Sequence, residues 1–411
     1  MTDQPIYFDN NSTTFPAPEA VEAALSAISE HWGNPSSTHS FGQKARHALE
    51  RAREGVARML NCTPAELVFN SGATEGNNTA LYSALEALPD RKHIITTRVE
   101  HSSVLEVVRY LAESGYRVTE LSVDRLGHID LDELRNEISG DTALVSLMWA
   151  NNETGVLNPV AAAGDIAKQF GALLHVDAAQ AAGKLPIDLT EHAAIDYLTI
   201  SGHKFHALKG CGALFVRRGA GCTALLRGGH HESGRRAGTE NALGIVAMGA
   251  AARMVSAKLD EYAVHMRAMR DRLQTGLLNT IDDVVINGDQ HERLPNTINA
   301  GFKYIDGEAL LMMMDAEGIS VSAGSACKSG SMEPSHVLLA MNVPLSAIHG
   351  SVRFCTSRYT TTDEVDTLVQ KTAKIVKRLR EMSPFGKDHK PAGLTAEQIA
   401  AHKAYFARAS G

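Results

Sequence analysis

The sequence predicts an α/β protein: a mostly parallel sheet covered by helices, with a smaller α+β domain attached. Three observations carry this reading. Short β-rich runs alternate with helical patterns through the first half of the chain, the signature of parallel pairing through crossover helices. From about residue 240 the alternation gives way to one long helical stretch, after which new strands and helices begin. With 411 residues, 44% of them hydrophobic and 21% charged, the chain is long and apolar enough for a large core and a smaller companion.

The elements follow in order. Residues 67–70 (LVFN), 93–97 (HIITT), 117–123 (RVTELSV), 143–149 (ALVSLMW), 172–177 (ALLHVD), 195–200 (IDYLTI) and 213–216 (ALFV) read as strands, being short runs rich in aliphatic and β-branched residues. Between several of them lie helix-like segments, such as 43–60 (QKARHALERAREGVARML) and 102–114. The long helix runs from about 240 to about 279. VVING and NTINAGF are strands of the second unit, with helices near 307–317 and 363–383. These limits divide the chain into a large domain, 15–260, a small domain formed by 1–14 with 261–385, and a tail, 386–411. From Ser383 the chain runs into the tail through the Pro-, Gly- and charge-bearing stretch SPFGKDHKPAGL, and then offers a short helix pattern at 395–408. No repeat of solenoid length is present.

Composition narrows the function. A net charge of −7 with scattered basic residues disfavours broad nucleic-acid binding. The N-terminus lacks the basic and apolar regions of a secretory signal. No apolar run is long enough to cross a bilayer; the most apolar candidate, 244–252 (GIVAMGAAA), is short and runs into Arg253. The 5 cysteines form no CxxC pair. An odd number of free thiols fits a reducing cytoplasm better than a disulfide framework or a structural zinc site, and no metal site is expected.

Several residues at strand ends carry chemistry. Lys204 follows the strand 195–200 in SGHKFHALKG, and Asp177 ends the strand 172–177, with Gln180 shortly after. Ligands of open α/β sheets sit at the carboxyl ends of strands. A lysine able to form a Schiff base, with an aspartate to partner a pyridinium nitrogen, is what pyridoxal phosphate requires of a protein. Either residue alone reads better as a solvated loop lysine or a helix N-cap. NSGATEGNN (70–78) follows a strand and opens a helix, a place where backbone N–H groups and Thr74 can meet a phosphate. Ser201, His203 and Thr239 offer further donors. His101, after the strand 93–97, is placed to stack on a ring. The stretch SAGSACKSGS (322–331) sets a thiol, Cys327, among Ser, Gly and Ala, where a buried inert cysteine is out of place.

These blocks together resemble a family. YFDNNSTT (7–14), GNPSSTHSFG (33–42), SGATEGNN (71–78), EHSSV (100–104), NNETG (151–155), HVDAAQAAGK (175–184), SGHKFHALKG (201–210), RRAGTEN (235–241), GSACKSGSMEPSHVL (324–338) and SVRF (351–354) occur in the order found in cysteine desulfurases of the NifS/IscS branch. The resemblance implies a fold-type-I pyridoxal 5′-phosphate enzyme, homodimeric, acting on L-cysteine. It implies Lys204 as the Schiff-base lysine, Asp177 as the pyridinium partner, Gln180 as donor to the ring oxygen and His101 as the stacking residue that also moves protons. Ala73, Thr74, Ser201 and His203 resemble the phosphate ligands, joined by Thr239 from the other subunit. Asn152 and Asn34 resemble residues that hold cofactor or substrate, and Arg353 resembles the one that binds the substrate carboxylate.

Cys327 resembles the cysteine that takes the substrate sulfur as a persulfide and passes it to a protein acceptor, such as a scaffold for iron–sulfur cluster assembly. A string of small residues gives it reach. Lys328 stands where a small hydroxyl residue is more usual, and HALKG replaces the more usual small-residue and Pro pair; neither changes the expected chemistry. A selenocysteine lyase and a class V aminotransferase stay open as alternatives. The aminotransferase shares Lys204 and Asp177 and has no need of Cys327. A non-catalytic homologue is disfavoured because Lys204, His101 and Cys327 are all present.

Overall fold

The structure is a computed structural model that describes residues 5–323 and 334–383. Cys327, Lys328 and the helix expected at 395–408 lie outside the described residues.

The chain opens with β1 (Ile6–Tyr7), α1 (Pro18–Ser29) and α2 (Ser40–Leu60). It then alternates through β2 (Leu67–Asn70), α3 (Ala73–Ala87), β3 (His93–Thr97), α4 (Ser102–Glu113), β4 (Arg117–Leu121), α5 (Leu131–Glu137), β5 (Thr142–Met148), α6 (Val160–Gln169), β6 (Leu173–Asp177), β7 (Tyr197–Ser201) and β8 (Gly212–Val216). The rest comprises α7 (Ala242–Thr280), β9 (Val284–Asn287), β10 (Thr297–Phe302), α8 (Gly307–Ala316), β11 (Ile319–Ser320), α9 (His336–Ala340), α10 (Leu345–Ile348), β12 (Ser351–Cys355) and α11 (Thr362–Met382). The strands expected from sequence are all observed, with ends displaced by no more than about two residues.

The main sheet has seven strands in the order β2-β8-β7-β6-β5-β3-β4. Every residue of β2, β3, β5, β7 and β8 is buried, because helices cover both faces. Successive residues feed opposite cores. Phe69, Ile95, Val145 and Ile200 pack with α1, α2, α6 and α7. Val68, Ile94, Leu144 and Leu214 pack with α3 and α4.

Pairing is parallel from β4 to β7, as expected, but β8 runs antiparallel to both neighbours. The cause is local. The polar link between β7 and β8 holds only one 3₁₀ turn, Gly202–Lys204, and a link without a crossover helix returns the chain antiparallel. Because β2 is antiparallel to β8, it runs with β7, which brings the carboxyl ends of β2, β3, β5, β6 and β7 to one edge.

A third core joins Ile6 and Phe8 to the far half of α7, β10, β12, α8 and α11. Here β12-β10-β9 form an antiparallel sheet and β1 pairs with β11 in parallel. Helix α7 links the cores and breaks helical geometry at Lys258, where φ is −140°. The sequence reading of 244–252 as too short for a membrane span is qualified here. The segment lies within α7, a helix of 39 residues that is long and apolar enough to span by length and composition. Half of its most apolar window is buried, and its near half packs against α1 and α2.

Candidate active site

The carboxyl edge of the sheet opens into a cavity of about 500 Å³. Ala73, Thr74, His101, Asn152, Asp177, Gln180, Ser201, His203, Lys204 and Arg353 all line it. Asn34 and Thr239 do not; both are exposed in this chain, and Asn34 Oδ1 accepts from the Ser36 N–H at 2.9 Å. No cluster of three or more potential metal ligands exists among the described residues.

Lys204 closes the 3₁₀ turn that follows β7. Its Nζ donates to the carbonyls of Asn11 at 2.7 Å and Ser12 at 2.8 Å. Asp177 is the last residue of β6 and is 7% exposed. Its Oδ1 accepts from the Ala179 N–H at 2.9 Å and its Oδ2 from Asn77 Nδ2 at 2.7 Å. Asn77 also donates to Ser103 Oγ at 2.8 Å, which ties Asp177 to the start of α4.

His101 is the N-cap of α4, and its Nδ1 accepts from the Ser103 N–H at 3.1 Å. A backbone N–H only donates, so the neutral ring carries its proton on Nε2. Burial pushes the His101 pKa down; Asp177 opposes the fall and Lys204 adds to it. Burial likewise takes His203 down to about 4, with Lys204, Lys209 and Lys184 adding to the effect. Both imidazoles are therefore neutral at ordinary pH.

The entry to α3 suits an anion. Gly72 has φ 147°, a conformation side chains resist, and a Cβ there would point toward Ser201 Oγ at 3.7 Å. The first N–H groups of a helix lack intrahelical partners, and α3 begins at Ala73 on the cavity wall. Hydroxyls of Thr74 and Ser201 and the neutral His203 surround the same end. Glu75 Oε2 accepts from the Ser71 N–H at 2.9 Å, and its Oε1 meets Arg236 Nε at 2.9 Å, so its charge is matched. This donor set fits a phosphate-bearing cofactor, and Asp177 fits a protonated ring nitrogen.

Arg353 lies on β12 and is 5% exposed. Its Nη2 donates to Asp9 Oδ1 at 2.7 Å and Ser12 Oγ at 2.6 Å, and its Nη1 to the Asn152 carbonyl at 3.0 Å. Its Nε is fully buried and has no hydrogen-bond partner among the described residues.

Cys327 lies outside the described residues, but one flank of its segment meets the site and the other meets residues next in chain to His101 and Asn152. Ala323 lines the cavity, and Arg353 N donates to the Ser322 carbonyl at 2.7 Å. On the far side, Ser335 Oγ donates to Glu153 Oε2 at 2.5 Å, and His336 Nε2 lies 3.0 Å from the Glu100 carbonyl.

Sequence reasoning missed Asp9, Asn11, Ser12, Asn77 and Lys184. Each falls inside a motif block yet was given no role, because polar residues beside a site look the same in sequence whether solvated or buried. Asn77 and Lys184 are 0% and 4% exposed. A polar residue among small apolar neighbours, as Lys184 is in AAQAAGK, was the available signal.

Comparisons with known proteins show the family of the chain. A family model for class-V aminotransferases matches residues 6–368. The chain is 50% identical over 398 residues to a cysteine desulfurase of Trichormus azollae, covering 97% of this chain and 99% of that protein. It is 46% identical over 387 residues to cysteine desulfurase NifS of Azotobacter vinelandii, covering 94% and 96%. Among solved structures it is similar to a NifS-like protein with a TM-score of 0.86 and 37% identity, covering 92% of this chain and 100% of that one.

Proposed function

The chain belongs to the class-V aminotransferase family and is a cysteine desulfurase, and we propose that its reaction runs on pyridoxal 5′-phosphate held at the carboxyl edge of the main sheet. In this reading Ala73, Thr74, Ser201 and His203 hold the phosphate, with Thr239 of the partner subunit. Asp177 partners the ring nitrogen, Gln180 donates to the ring oxygen, His101 stacks on the ring and Lys204 is the covalent tether. Bound there, the cofactor supplies an electron sink for the charge left when a proton leaves the substrate Cα.

The protein supplies the rest. Arg353 receives the carboxylate of L-cysteine, and its place on the cavity wall supports that role. Asn152 helps to hold cofactor or substrate, and Asn34, which is away from the cavity of its own chain, does so from a second copy. Lys204, once displaced and neutral, takes the Cα proton. His101 holds a proton on Nε2 and moves it between substrate groups. The Cys327 thiolate attacks the substrate sulfur, an S–S bond forms, the substrate C–S bond breaks and the Cβ is protonated. The balance is L-cysteine plus the Cys327 thiol giving L-alanine plus the Cys327 persulfide. A protein acceptor, such as a scaffold for iron–sulfur cluster assembly, then takes the sulfur.

We read the active unit as a homodimer in the cytoplasm, binding neither nucleic acid nor membrane. Phe15, Leu25, Ile28 and Trp32 are 68%, 60%, 54% and 65% exposed, an apolar face suited to a second copy. The free thiols of Cys62, Cys211, Cys222 and Cys355 suit a reducing compartment.

The observation that carries this reading is that Ala323, beside the segment bearing Cys327, lines the same cavity as Lys204, Asp177 and His101. The test is turnover of L-cysteine with a thiol reductant. Wild type is expected to release alanine and sulfide in equal amounts. Cys327→Ser is expected to lose both while keeping the colour of the bound cofactor. Undiminished alanine release by Cys327→Ser would contradict the assignment.

A further inference from the structure

Lys184 is a buried cation with no part in the mechanism above. It is 4% exposed and bonds to two residues that line the cavity, Gln180 and Asn11. The turn that carries it presses on the residue after Lys204: Gly183 has φ 77°, and a Cβ there would sit 2.4 Å from Phe205 Cβ. Lys184 Nζ donates to Gln180 Oε1 at 2.7 Å and to Asn11 Oδ1 at 3.1 Å. Gln180 Nε2 donates to the Asn11 carbonyl at 2.9 Å, the same carbonyl that receives Lys204 Nζ.

This arrangement settles which way the Gln180 amide faces. A glutamine amide has a donor end and an acceptor end of nearly equal shape, and only its partners decide between them. Here Oε1 is held by Lys184, and Nε2 by a carbonyl that can only accept. A flipped amide would set NH₂ against Nζ and a lone pair against a carbonyl, leaving buried groups unpaired. One N–H of Nε2 serves Asn11, and Gln180 lines the cavity, so its second N–H is the group left for a ligand there. Burial pushes the Lys184 pKa down to about 7; the Cys355 charge opposes this, and Lys204 and Arg353 add to it. The grip does not depend on that charge, because a neutral amine still has an N–H for each of the two oxygens.

We propose that Lys184 is a positioning residue that locks the Gln180 amide with its donor end toward the cavity, so that the ligand oxygen beside Gln180 always meets a hydrogen-bond donor. The proposal rests on the reading of the cavity as a pyridoxal phosphate site. Without Lys184 the Asn11 carbonyl alone holds the amide, and the fraction that turns presents its carbonyl to that oxygen, which replaces an attraction with a repulsion.

The test uses the pH midpoint of the visible absorption band of bound pyridoxal phosphate, which requires no turnover. It is measured in wild type, Lys184→Met, Gln180→Ala and the double variant. Lys184→Met is expected to raise the midpoint by about one pH unit. In the Gln180→Ala background the same substitution is expected to change nothing. Lys184→Leu, also unable to donate, takes the place of Lys184→Met if the methionine variant does not fold. An unchanged midpoint in a variant that binds the cofactor would overturn the proposal. So would an equal shift with and without Gln180, which would mean that only the charge of Lys184 acts. Absence of any visible band in wild type would overturn the reading of the cavity itself, and the proposal with it.

Discussion

Arg353 shows how the surroundings of one side chain define its task. Asp9, Ser12 and the Asn152 carbonyl fix its guanidinium, and the residue lines the cavity. Lysine has one charged centre and no fork, so it cannot meet these partners and a substrate carboxylate together. Arg353→Lys is therefore expected to raise KM for L-cysteine roughly 10- to 100-fold, about the loss of one charge-assisted hydrogen bond. Steady-state kinetics check this, and an unchanged KM would remove Arg353 from carboxylate binding. The sequence made Arg353 legible through SVRF. It hid Asp9, because nothing in YFDNNSTT says that this carboxylate crosses to β12.

At the scale of elements, the strands were legible because the sheet is buried on both faces and its strands are compact apolar runs. The turn of β8 against its neighbours was not, because direction depends on what a short link permits and not on the strand's own residues. Close helix packing was equally hidden. A Cβ on Gly249 of α7 would lie 2.4 Å from Ala52 Cα on α2, closer than any relaxed contact. Gly249→Ala must push the two helices apart, and is expected to cost about 1–3 kcal/mol of unfolding free energy. The cavity lies at the carboxyl edge of the sheet, and the cofactor spectrum of this variant is expected to stay unchanged. Chemical denaturation beside absorbance checks both halves. An unaltered denaturation midpoint would show that the helices absorb the methyl group.

At the scale of the whole molecule, we propose the division at about residue 260, with residues 1–14 counted with the second unit. The Lys258 break in α7 and the packing of Ile6 and Phe8 with β10 and β12 support it. Thr239 and Asn34 are exposed and away from the cavity, which supports a site completed by a second copy. Mixed dimers test this. One site in a dimer of Lys204→Ala with Thr239→Ala would hold an intact Lys204 and an intact Thr239 from the other chain. Mixing is then expected to restore a site of wild-type cofactor affinity, absent from either parent. If no such site forms, Thr239 serves its own chain or none. The dimer and the acceptor could not be read from composition or spacing, because both depend on surfaces that meet only in an assembly.

The central claim is that the substrate sulfur comes to rest on Cys327. Its most direct test is the intact mass of the protein after one turnover of L-cysteine without reductant, followed by peptide mapping. The account expects a gain of one sulfur atom per chain, located on Cys327, with one alanine released for each sulfur gained. Alanine released with no mass gained, or sulfur found on Cys355 or another thiol, would contradict it.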